Sequence, residues 1–445
     1  MRLATLAAVL LLLALGPAAT TAQPPAAAPA PAPAGQVTVV HAGMLLDRPG
    51  RAPRRNASII VRGNRIESVR DGFVAVPEGG RLIDLRDRFV LPGLIDSHVH
   101  LTSDRAGVEG QLAGMTESVP LRGYEAAWNA QKTLQAGFTT VRNLGSEGGI
   151  TLALRDAIAR GWATGPRIVD AGSGISATTG HMDPTLGMRE EFHEALRSGM
   201  TTCDGADDCR RAVRRQIARG VDLIKIATTG GVNSRIGLGL GAQMFEDEVR
   251  ALVETAHLYG RKVAVHAHGA DGINMALRAG ADSIEHGTLM DDESLRLFRS
   301  SRAYYVPTLS TVNGYRERLR TNPNAYTGEV REKIEWRIGI TGQALRRAVP
   351  AGVRIAFGTD AGVSLHGHNA DEFLLMVEHG MTPMQALVAA TVNAADLLGL
   401  AAEIGTIEPG KSADIVAVEG DPLADVGVLR SMRFVMRAGR IYRQD

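Results

Sequence analysis

At residues 94–100 the chain reads Leu94-Ile95-Asp96-Ser97-His98-Val99-His100, an apolar run that ends in two histidines. Side chains alternate along a β-strand, so residues two apart share a face. His98 and His100 therefore point the same way, with Val99 opposite. Two imidazoles on one face at the end of a buried strand are a good start for a metal site.

Similar runs recur through residues 90–370, where they alternate with helical patterns. This alternation predicts an α/β fold with a parallel sheet. Eight such runs within about 280 residues fit a (β/α)8 TIM-like barrel. An open doubly wound sheet is the alternative, but no Gly-x-Gly-x-x-Gly follows the first run. The predicted strands are Gly93–His100, Phe138–Asn143, Arg167–Ala171, Val221–Ala227, Lys262–Ala267, Ser283–His286, Tyr304–Leu309 and Arg354–Thr359.

Both ends of the chain are rich in β-forming residues. Short runs separated by Gly- and Asn-containing turns precede the barrel, and two more close the chain. Residues 37–90 and 405–445 are therefore expected to form one small composite β-sandwich domain, with the barrel of residues 91–404 inserted between them. The runs are Val37–Val40, Ser58–Val61, Arg65–Val69, Ala413–Val418 and Arg433–Tyr442.

Residues 1–22 have the pattern of a secretory signal peptide. Arg2 is followed by the apolar run Leu3–Leu15 and by small residues that end at Ala22. The apolar run is shorter than the ~20 residues of a membrane span. Residues 23–36 are rich in Ala and Pro, which predicts an extended linker. The mature chain is expected to begin near Gln23, in the periplasm or outside the cell, without a membrane anchor.

Charge argues against a nucleic-acid partner. Charged residues make up 22% of the sequence, the formal net charge is +1, and no block of Lys or Arg stands out. Proteins that bind nucleic acid carry a basic patch or stripe. A nucleic-acid partner is therefore not expected.

The two cysteines, Cys203 and Cys209, are six residues apart. Export permits oxidation, so a local disulfide is predicted. The alternative is a pair of free thiols beside a helix that Asp204 caps. A zinc site at this place is not supported, because no histidine or further cysteine is nearby.

Polar residues fall at the carboxyl ends of the predicted strands, where barrel enzymes place their active sites. Lys225 belongs to an apolar run, and burying an unpaired ammonium is costly. It therefore either pairs with a buried acid or loses its proton and reacts with carbon dioxide, which gives a carbamate with two oxygens. The predicted metal ligands are His98, His100, Lys225, His266, His286 and Asp360.

These motifs resemble the amidohydrolase superfamily, in its binuclear branch with a carboxylated lysine. Residues 90–100 are similar to the family's first-strand signature, Gly358-Thr359-Asp360-Ala361-Gly362 to its eighth-strand signature, and residues 405–416 to its return into the β domain. Residues 225–232 and 366–369 resemble the imidazolonepropionase-related subgroup. This subgroup includes dipeptidases that cleave before proline, carboxypeptidases and the amidase that splits ochratoxin A.

The resemblance implies a role for each ligand. His98, His100 and Asp360 would hold one divalent metal, His266 and His286 would hold the other, and carboxylated Lys225 would bridge them. Zinc is the expected metal. A hydroxide shared by the two metals would attack the amide carbonyl. Asp360 would carry its proton to the departing amine.

Three further residues are candidates for substrate contacts. The family pattern suggests that His181 meets the carbonyl oxygen, although Thr179 stands where glycine is expected. His268 lies one alternation from His266, so it either contacts the substrate or supports a ligand. Arg235, in a glycine-rich loop after the Lys225 strand, is a candidate for gripping a substrate carboxylate.

The expected activity is hydrolysis of an amide bond in an N-acyl amino acid or a small peptide. Lys225 argues against imidazolonepropionase itself, which is expected to be mononuclear. A lactone or phosphotriester hydrolase on the same metal centre is the alternative. A non-catalytic scaffold is disfavoured because such relatives lose ligands. Relatives commonly assemble, so a homo-oligomer is expected.

Overall fold

The computed structural model describes residues 37–105, 107–196, 202–234, 239–326 and 328–445. The predicted signal peptide and linker lie outside these ranges, and so does Arg235. Their predictions therefore stay predictions. No helix in the described ranges has the length and apolar character that a membrane crossing requires.

One sheet unites the two ends of the chain. Its strands run in the order β14-β13-β12-β4-β1-β2-β3, so β4 lies between the amino-terminal and carboxyl-terminal strands. Strand β4 pairs in parallel with β1 and antiparallel with β12. All seven strands are hydrogen-bonded in this one sheet, rather than in the two facing sheets of a sandwich. They are β1 (Val37–Leu45), β2 (Arg54–Arg62), β3 (Arg65–Asp71), β4 (Arg81–Pro92), β12 (Ile415–Val418), β13 (Met432–Arg437) and β14 (Arg440–Gln444).

The central part of the chain forms two parallel sheets, which confirms the α/β class. One has the order β5-β6-β7 and the other β11-β10-β9-β8. Most residues of these strands are buried on both faces, as is usual in parallel sheets, and several of the buried residues are polar or charged. The strands are β5 (Leu94–Val99), β6 (Phe138–Asn143), β7 (Arg167–Asp170), β8 (Ile224–Ala227), β9 (Val263–Ala267), β10 (Ser283–His286) and β11 (Tyr304–Val306).

Individual backbone hydrogen bonds connect the two parallel sheets on one side. Ile175, which follows β7, donates its N–H to the Lys225 carbonyl at 2.9 Å and accepts from the Ala227 N–H at 2.9 Å. These bonds dock the chain after β7 against β8. They also fix the main chain around Lys225.

The eighth predicted strand, Arg354–Thr359, is not a regular strand, although it lies between β11 and β5. The Ala356 N–H donates to Tyr305 of β11 at 3.0 Å, and the Phe357 carbonyl accepts from Ser97 of β5 at 2.9 Å. The Phe357 N–H, however, donates to the Ala389 carbonyl of a π-helical turn at 3.0 Å. Because the segment shares its hydrogen bonds between two strands and a helix, it forms no continuous ladder.

Helices cover the parallel sheets through their apolar faces. In the second helix, Ser118 caps the amino end, and Ala126, Ala130 and Leu134 form a buried stripe at helical spacing. The helices are α1 (Gly107–Thr116), α2 (Val119–Gln135), α3 (Ile150–Ala159), α4 (His193–Leu196), α5 (Ala206–Ala218), α6 (Glu246–Leu258), α7 (Ala270–Ala279), α8 (Asp292–Ser300), α9 (Thr311–Thr321), α10 (Gly328–Gly339), α11 (Gln343–Ala348), α12 (Asp371–Glu378), α13 (Pro383–Val388) and α14 (Ala394–Leu397).

The structure joins Cys203 and Cys209 in a disulfide at the start of α5, and both residues are buried. Asp204 does not cap this helix through its side chain. Its carboxylate instead accepts hydrogen bonds from the N–H and the hydroxyl of Thr178. The disulfide loop is therefore tied to the segment that carries His181.

We expect replacement of both Cys203 and Cys209 by alanine to lower the free energy of unfolding by less than the ~3 kcal/mol of a 15-residue loop, because this loop is shorter. Urea titration of the wild-type protein and the double variant measures the difference. The untreated wild-type protein should show no reactive thiol under denaturing conditions. Two reactive thiols in that assay would contradict the disulfide.

Candidate metal centre

A cavity of about 1220 Å³ opens at the carboxyl ends of the parallel strands. It brings together every predicted metal ligand and substrate contact that the structure describes. Sequence positions more than 250 residues apart, such as His98 and Asp360, thus face one space. The predicted residues that line the cavity are His98, His100, His181, Lys225, His266, His268, His286 and Asp360.

His98, His100 and Asp360 converge on one point. The Asp360 Oδ1 atom lies 3.4 Å from His98 Nε2 and 3.2 Å from His100 Nε2. The two rings extend from the same face of β5, as the alternation predicted. Two imidazole nitrogens and a carboxylate oxygen at this spacing are donors that suit a divalent metal.

The remaining histidines form a second group around His286. Ligand atoms of His266, His268 and His286 lie within 4.8 Å of one another, and the same holds for His98, His286 and Asp360. His286 belongs to both sets, so the two groups adjoin. His268 thus lies directly beside two predicted metal ligands, His266 and His286.

Burial keeps the imidazoles of His98, His266 and His286 neutral. It lowers the pKa of His98 to about 4 and holds the pKa values of His266 and His286 well below the usual 6.5. A neutral imidazole has a free lone pair, which metal binding requires. The histidines therefore fit a metal site better than a cluster of cations.

Hydrogen bonds at Nδ1 orient most of these rings. The Nδ1 atom of His100 lies 3.2 Å from the Gly145 carbonyl oxygen, that of His286 lies 2.7 Å from Thr308 Oγ1, and that of His268 lies 2.8 Å from Thr288 Oγ1. A partner on one ring nitrogen fixes the ring and leaves the other nitrogen for a metal.

His98 has the strongest such partner, Glu285, which sequence reasoning missed. Its Nδ1 lies 2.9 Å from Glu285 Oε2, and Arg142 Nη2 lies 2.8 Å from Glu285 Oε1. Burial alone would raise the pKa of Glu285, but Arg142 and His98 lower it to about 2. Glu285 is therefore an ionised carboxylate beneath the site. The run of Ser283 to His286 contained the only signal, a charged residue inside a short buried strand.

Asp96 holds the eighth segment against β5. Its carboxylate accepts hydrogen bonds from Thr359 Oγ1 at 2.6 Å and from Asn369 Nδ2 at 2.7 Å. Burial raises the pKa of Asp96 to about 6. These bonds fix the backbone one residue before Asp360, so they position that ligand.

Lys225 is buried without a partner. It is 1% exposed, and its Nζ has no hydrogen bond or ion pair among the described residues. Burial lowers the pKa of its ammonium to about 8, against the opposing charges of Glu285 and Asp360. The alternative of a salt bridge to a buried acid is therefore not what the structure shows. An amine with this pKa is partly unprotonated at neutral pH.

Backbone strain accompanies two of the candidate ligands. His286 has φ 69° and Asp360 has φ 58°, both in the left-handed region that non-glycine residues rarely adopt. Such strain concentrates at functional sites, where the surroundings hold it. Thr179 also has φ 67°, so the loop before His181 keeps the turn that glycine was expected to provide.

His181 packs against the histidine cluster, with its ring stacked on that of His266 at 4.0 Å between centroids. Ser234 Oγ accepts from the Gly231 N–H at 3.2 Å and contacts His181 Nδ1. The serine proton is thus free to be donated to Nδ1, which leaves the His181 proton on Nε2. A Cβ at Gly231 would lie 2.2 Å from the His181 ring, so only glycine fits there.

Comparison with known proteins agrees with this arrangement. Residues 89–442 match the Amidohydrolase family. The chain belongs to this family. The predicted superfamily is thereby confirmed, over a segment that contains every candidate ligand described above.

Several known proteins are similar to most of the chain. Ochratoxinase from Aspergillus niger is 31% identical over 426 residues, which cover 92% of this chain and 87% of that protein. Imidazolonepropionase from Symbiobacterium thermophilum is 29% identical, with 85% and 89% covered. A crystal structure of a Xaa-Pro dipeptidase with bound methionine is 40% identical, has a TM-score of 0.87, and covers 92% of this chain and 100% of its own.

This amidohydrolase is therefore an enzyme that hydrolyses C–N bonds. The prediction of a catalytic protein is confirmed, and the hypothesis of a non-catalytic scaffold is abandoned. Its buried histidines and Asp360 are able to hold divalent metal, as is typical of the family.

Proposed function

We propose that this chain is a binuclear metal amidohydrolase that releases an amino acid from an N-acyl amino acid or a small peptide. The observation that carries the proposal is Lys225: a buried, unpartnered amine in the midst of neutral histidines and an ionised Asp360. A site for one metal would not need a sixth group there. We further propose that the two parallel sheets and the segment of residues 354–361 form a closed (β/α)8 barrel.

The proposed ligand sets are those that the family resemblance implies. His98, His100 and Asp360 would hold one divalent metal, and His266 with His286 would hold the second. The nitrogen-rich donor set favours zinc. When bound, the metals would polarise the scissile carbonyl and lower the pKa of the attacking water.

Lys225 would complete both sets as a carbamate. The unprotonated Nζ attacks carbon dioxide, an N–C bond forms, and one proton is released. The product is an anion with two oxygen donors. The positive charge of the bound metals would compensate the buried carbamate anion.

Asp360 and His181 would move the protons and steady the charge. Asp360 Oδ1 lies 3.4 Å from His98 Nε2 and 3.2 Å from His100 Nε2, at the edge of the proposed metal site. As a carboxylate, it would take a proton from the attacking water and pass it to the departing amine. His181 would donate from Nε2 to the carbonyl oxygen as negative charge develops there.

The substrate class rests on the relatives and on the size of the cavity. Ochratoxinase and the Xaa-Pro dipeptidase both act on amides. A cavity of about 1220 Å³ has room for an acylated amino acid. Lactones and phosphotriesters are the alternative substrates for the same centre.

A hydrolysis panel tests this proposal. It contains N-acetyl-L-amino acids, dipeptides, ochratoxin A, a lactone and a phosphotriester. We expect turnover of amides that leave a free amino acid, and two zinc ions per chain by elemental analysis. Preferential turnover of the lactone or the phosphotriester would overturn the proposal.

We expect Asp360→Asn to lower kcat on the best amide by about 10²–10⁴-fold, because the amide side chain cannot accept the proton. Asp292→Asn is the matched control, since that carboxylate is 91% exposed on α8. The control should keep full activity. Wild-type turnover in Asp360→Asn would remove Asp360 from the mechanism.

We also propose that the protein is exported and assembles as a homo-oligomer. The disulfide between Cys203 and Cys209 supports an oxidising compartment. Mass spectrometry of the protein from its native host should find a chain that begins near Gln23.

A further inference from the structure

Arg337 forms part of the cavity wall, on the inner face of α10. Val330, Ile334 and Arg337 are the buried residues of this helix, at the spacing of one helical face. Arg337 is only 4% exposed. A guanidinium therefore takes a position that the pattern of α10 reserves for apolar residues.

The charge of Arg337 has no ion-pair partner among the residues that the structure describes. Its one recorded hydrogen bond is long, from Nη1 to Thr341 Oγ1 at 3.4 Å. Within the described ranges, no carboxylate lies within 4.0 Å of the Arg337 guanidinium. The residues outside those ranges include no Asp or Glu. Asp360 and Glu372 act on it only from a longer range.

Arg142, another buried arginine of this chain, has a full set of hydrogen-bond and ion-pair partners. It is 2% exposed, donates to Glu285 at 2.8 Å, and makes further hydrogen bonds to Ser97 and Ser283. An arginine stays protonated even when buried, so an unpaired one carries a large desolvation cost. Arg337 lacks these partners but borders the cavity, so an anion from the cavity can offset the cost.

Two neutral groups on the same wall extend this site. Tyr315 Oη accepts a hydrogen bond from Asn233 Nδ2 at 3.2 Å, and both residues line the cavity. The Tyr315 proton is therefore available to a second acceptor. Arg337 and Tyr315 together offer donors to an anion with two oxygens, and the fork of a guanidinium matches a carboxylate.

We infer that Arg337 binds the α-carboxylate of the amino acid that the enzyme releases, with Tyr315 as a second donor. The inference rests on the proposed function, because it names the residue that binds the free carboxylate of the same proposed substrate. It gives the enzyme the specificity of a carboxypeptidase: the amide that is cleaved must be followed by a free carboxylate. Arg337 takes the role that the sequence suggested for Arg235.

Paired substrates test this assignment. N-acetyl-L-methionine carries the carboxylate, and N-acetyl-L-methioninol has a hydroxymethyl group in its place with the same amide bond. We expect the wild-type enzyme to prefer the acid by at least about 100-fold in kcat/KM, the range of a buried charge pair. Arg337→Gln should lose about 100-fold on the acid and less than about 5-fold on the alcohol.

Arg337→Lys and Arg331→Gln complete the series. Arg337→Lys keeps a charge without the fork and should recover about 10-fold on the acid. Arg331→Gln changes an exposed arginine of the same helix, paired with Glu335 at 2.8 Å, and should behave as wild type. Equal losses on both substrates in Arg337→Gln, or no preference for the acid in the wild-type enzyme, would overturn the inference.

Equilibrium binding separates the inference from the proposed function. L-Methionine and L-methioninol are products that need no turnover. The wild-type protein should bind methionine at least about 100-fold more tightly, and Arg337→Gln should abolish the difference. Arg337-dependent binding without amide turnover would reject the function alone. Turnover with equal binding of both products, or binding of neither, would reject the role of Arg337.

Discussion

Lys225→Ala is expected to lose bound metal and nearly all amide hydrolysis, because it removes the one group that would bridge both ligand sets. Elemental analysis should find fewer than the two metals per chain expected for the wild-type protein. Turnover should fall by more than tenfold, which corresponds to an increase of ~1.4 kcal/mol in the activation free energy. A small carboxylic acid added to this variant should restore part of the rate by standing in for the carbamate. Lys225→Arg should not restore it, because guanidinium stays cationic.

Lys411→Ala provides the matched control. Lys411 is partly buried and donates to the Ala401 carbonyl at 2.6 Å. It lies far from the proposed site, in the segment that leads back to the seven-stranded sheet. The control should keep its metals and its rate. If Lys225→Ala keeps both metals and more than about a tenth of the wild-type rate, the lysine is structural. The binuclear proposal would then give way to a single metal held by Asp360.

Glu285→Leu is expected to have the largest effect on stability. It leaves the Arg142 charge buried without its carboxylate, which costs about 3–5 kcal/mol in measured cases. It also removes the partner of His98 Nδ1, so metal affinity should fall by about 10–100-fold. Urea unfolding of the metal-free proteins measures the first effect, and metal titration measures the second.

A second replacement makes this prediction sharper. Adding Arg142→Met to Glu285→Leu should recover much of the stability, because no uncompensated charge remains. Metal affinity should stay low, since His98 still lacks its partner. Glu293→Leu is the control, as Glu293 is 39% exposed in its ion pair with Arg278. A double variant no more stable than Glu285→Leu would show that the pair is not the cause.

Seven of the eight predicted barrel strands are strands, because they are short runs of β-forming residues that alternate with helical patterns. The eighth prediction, a strand at Arg354–Thr359, was wrong for a physical reason. Phe357 donates its N–H to a π-helical turn at Ala389, a long-range bond that no local pattern encodes. The sequence predicted that both ends of the chain are rich in β-strands. It did not predict that β4 pairs with strands from both ends.

In the candidate site, too, residues that follow a local sequence pattern were predicted, and residues that depend on long-range contacts were not. His98 and His100 were predictable because alternation places them on one face, and Asp360 because it ends an apolar run. Glu285 and Arg142 were missed because their importance depends on a contact between β6 and β10. The proposed role of Arg337 was missed because α10 also contains Arg331, and only the packing of the helix separates the buried arginine from the exposed one.

The central place of β4 in the mixed sheet has a consequence for synthesis of the protein. Its residues Val90 and Leu91 pair with Ala417 and Val416, which leave the ribosome more than 300 residues later. Until then β4 has an open apolar edge, which is a template for association with other chains. A nascent chain therefore has to keep this edge from other strands while the rest is translated, and a chain cut short before β12 would retain the edge permanently.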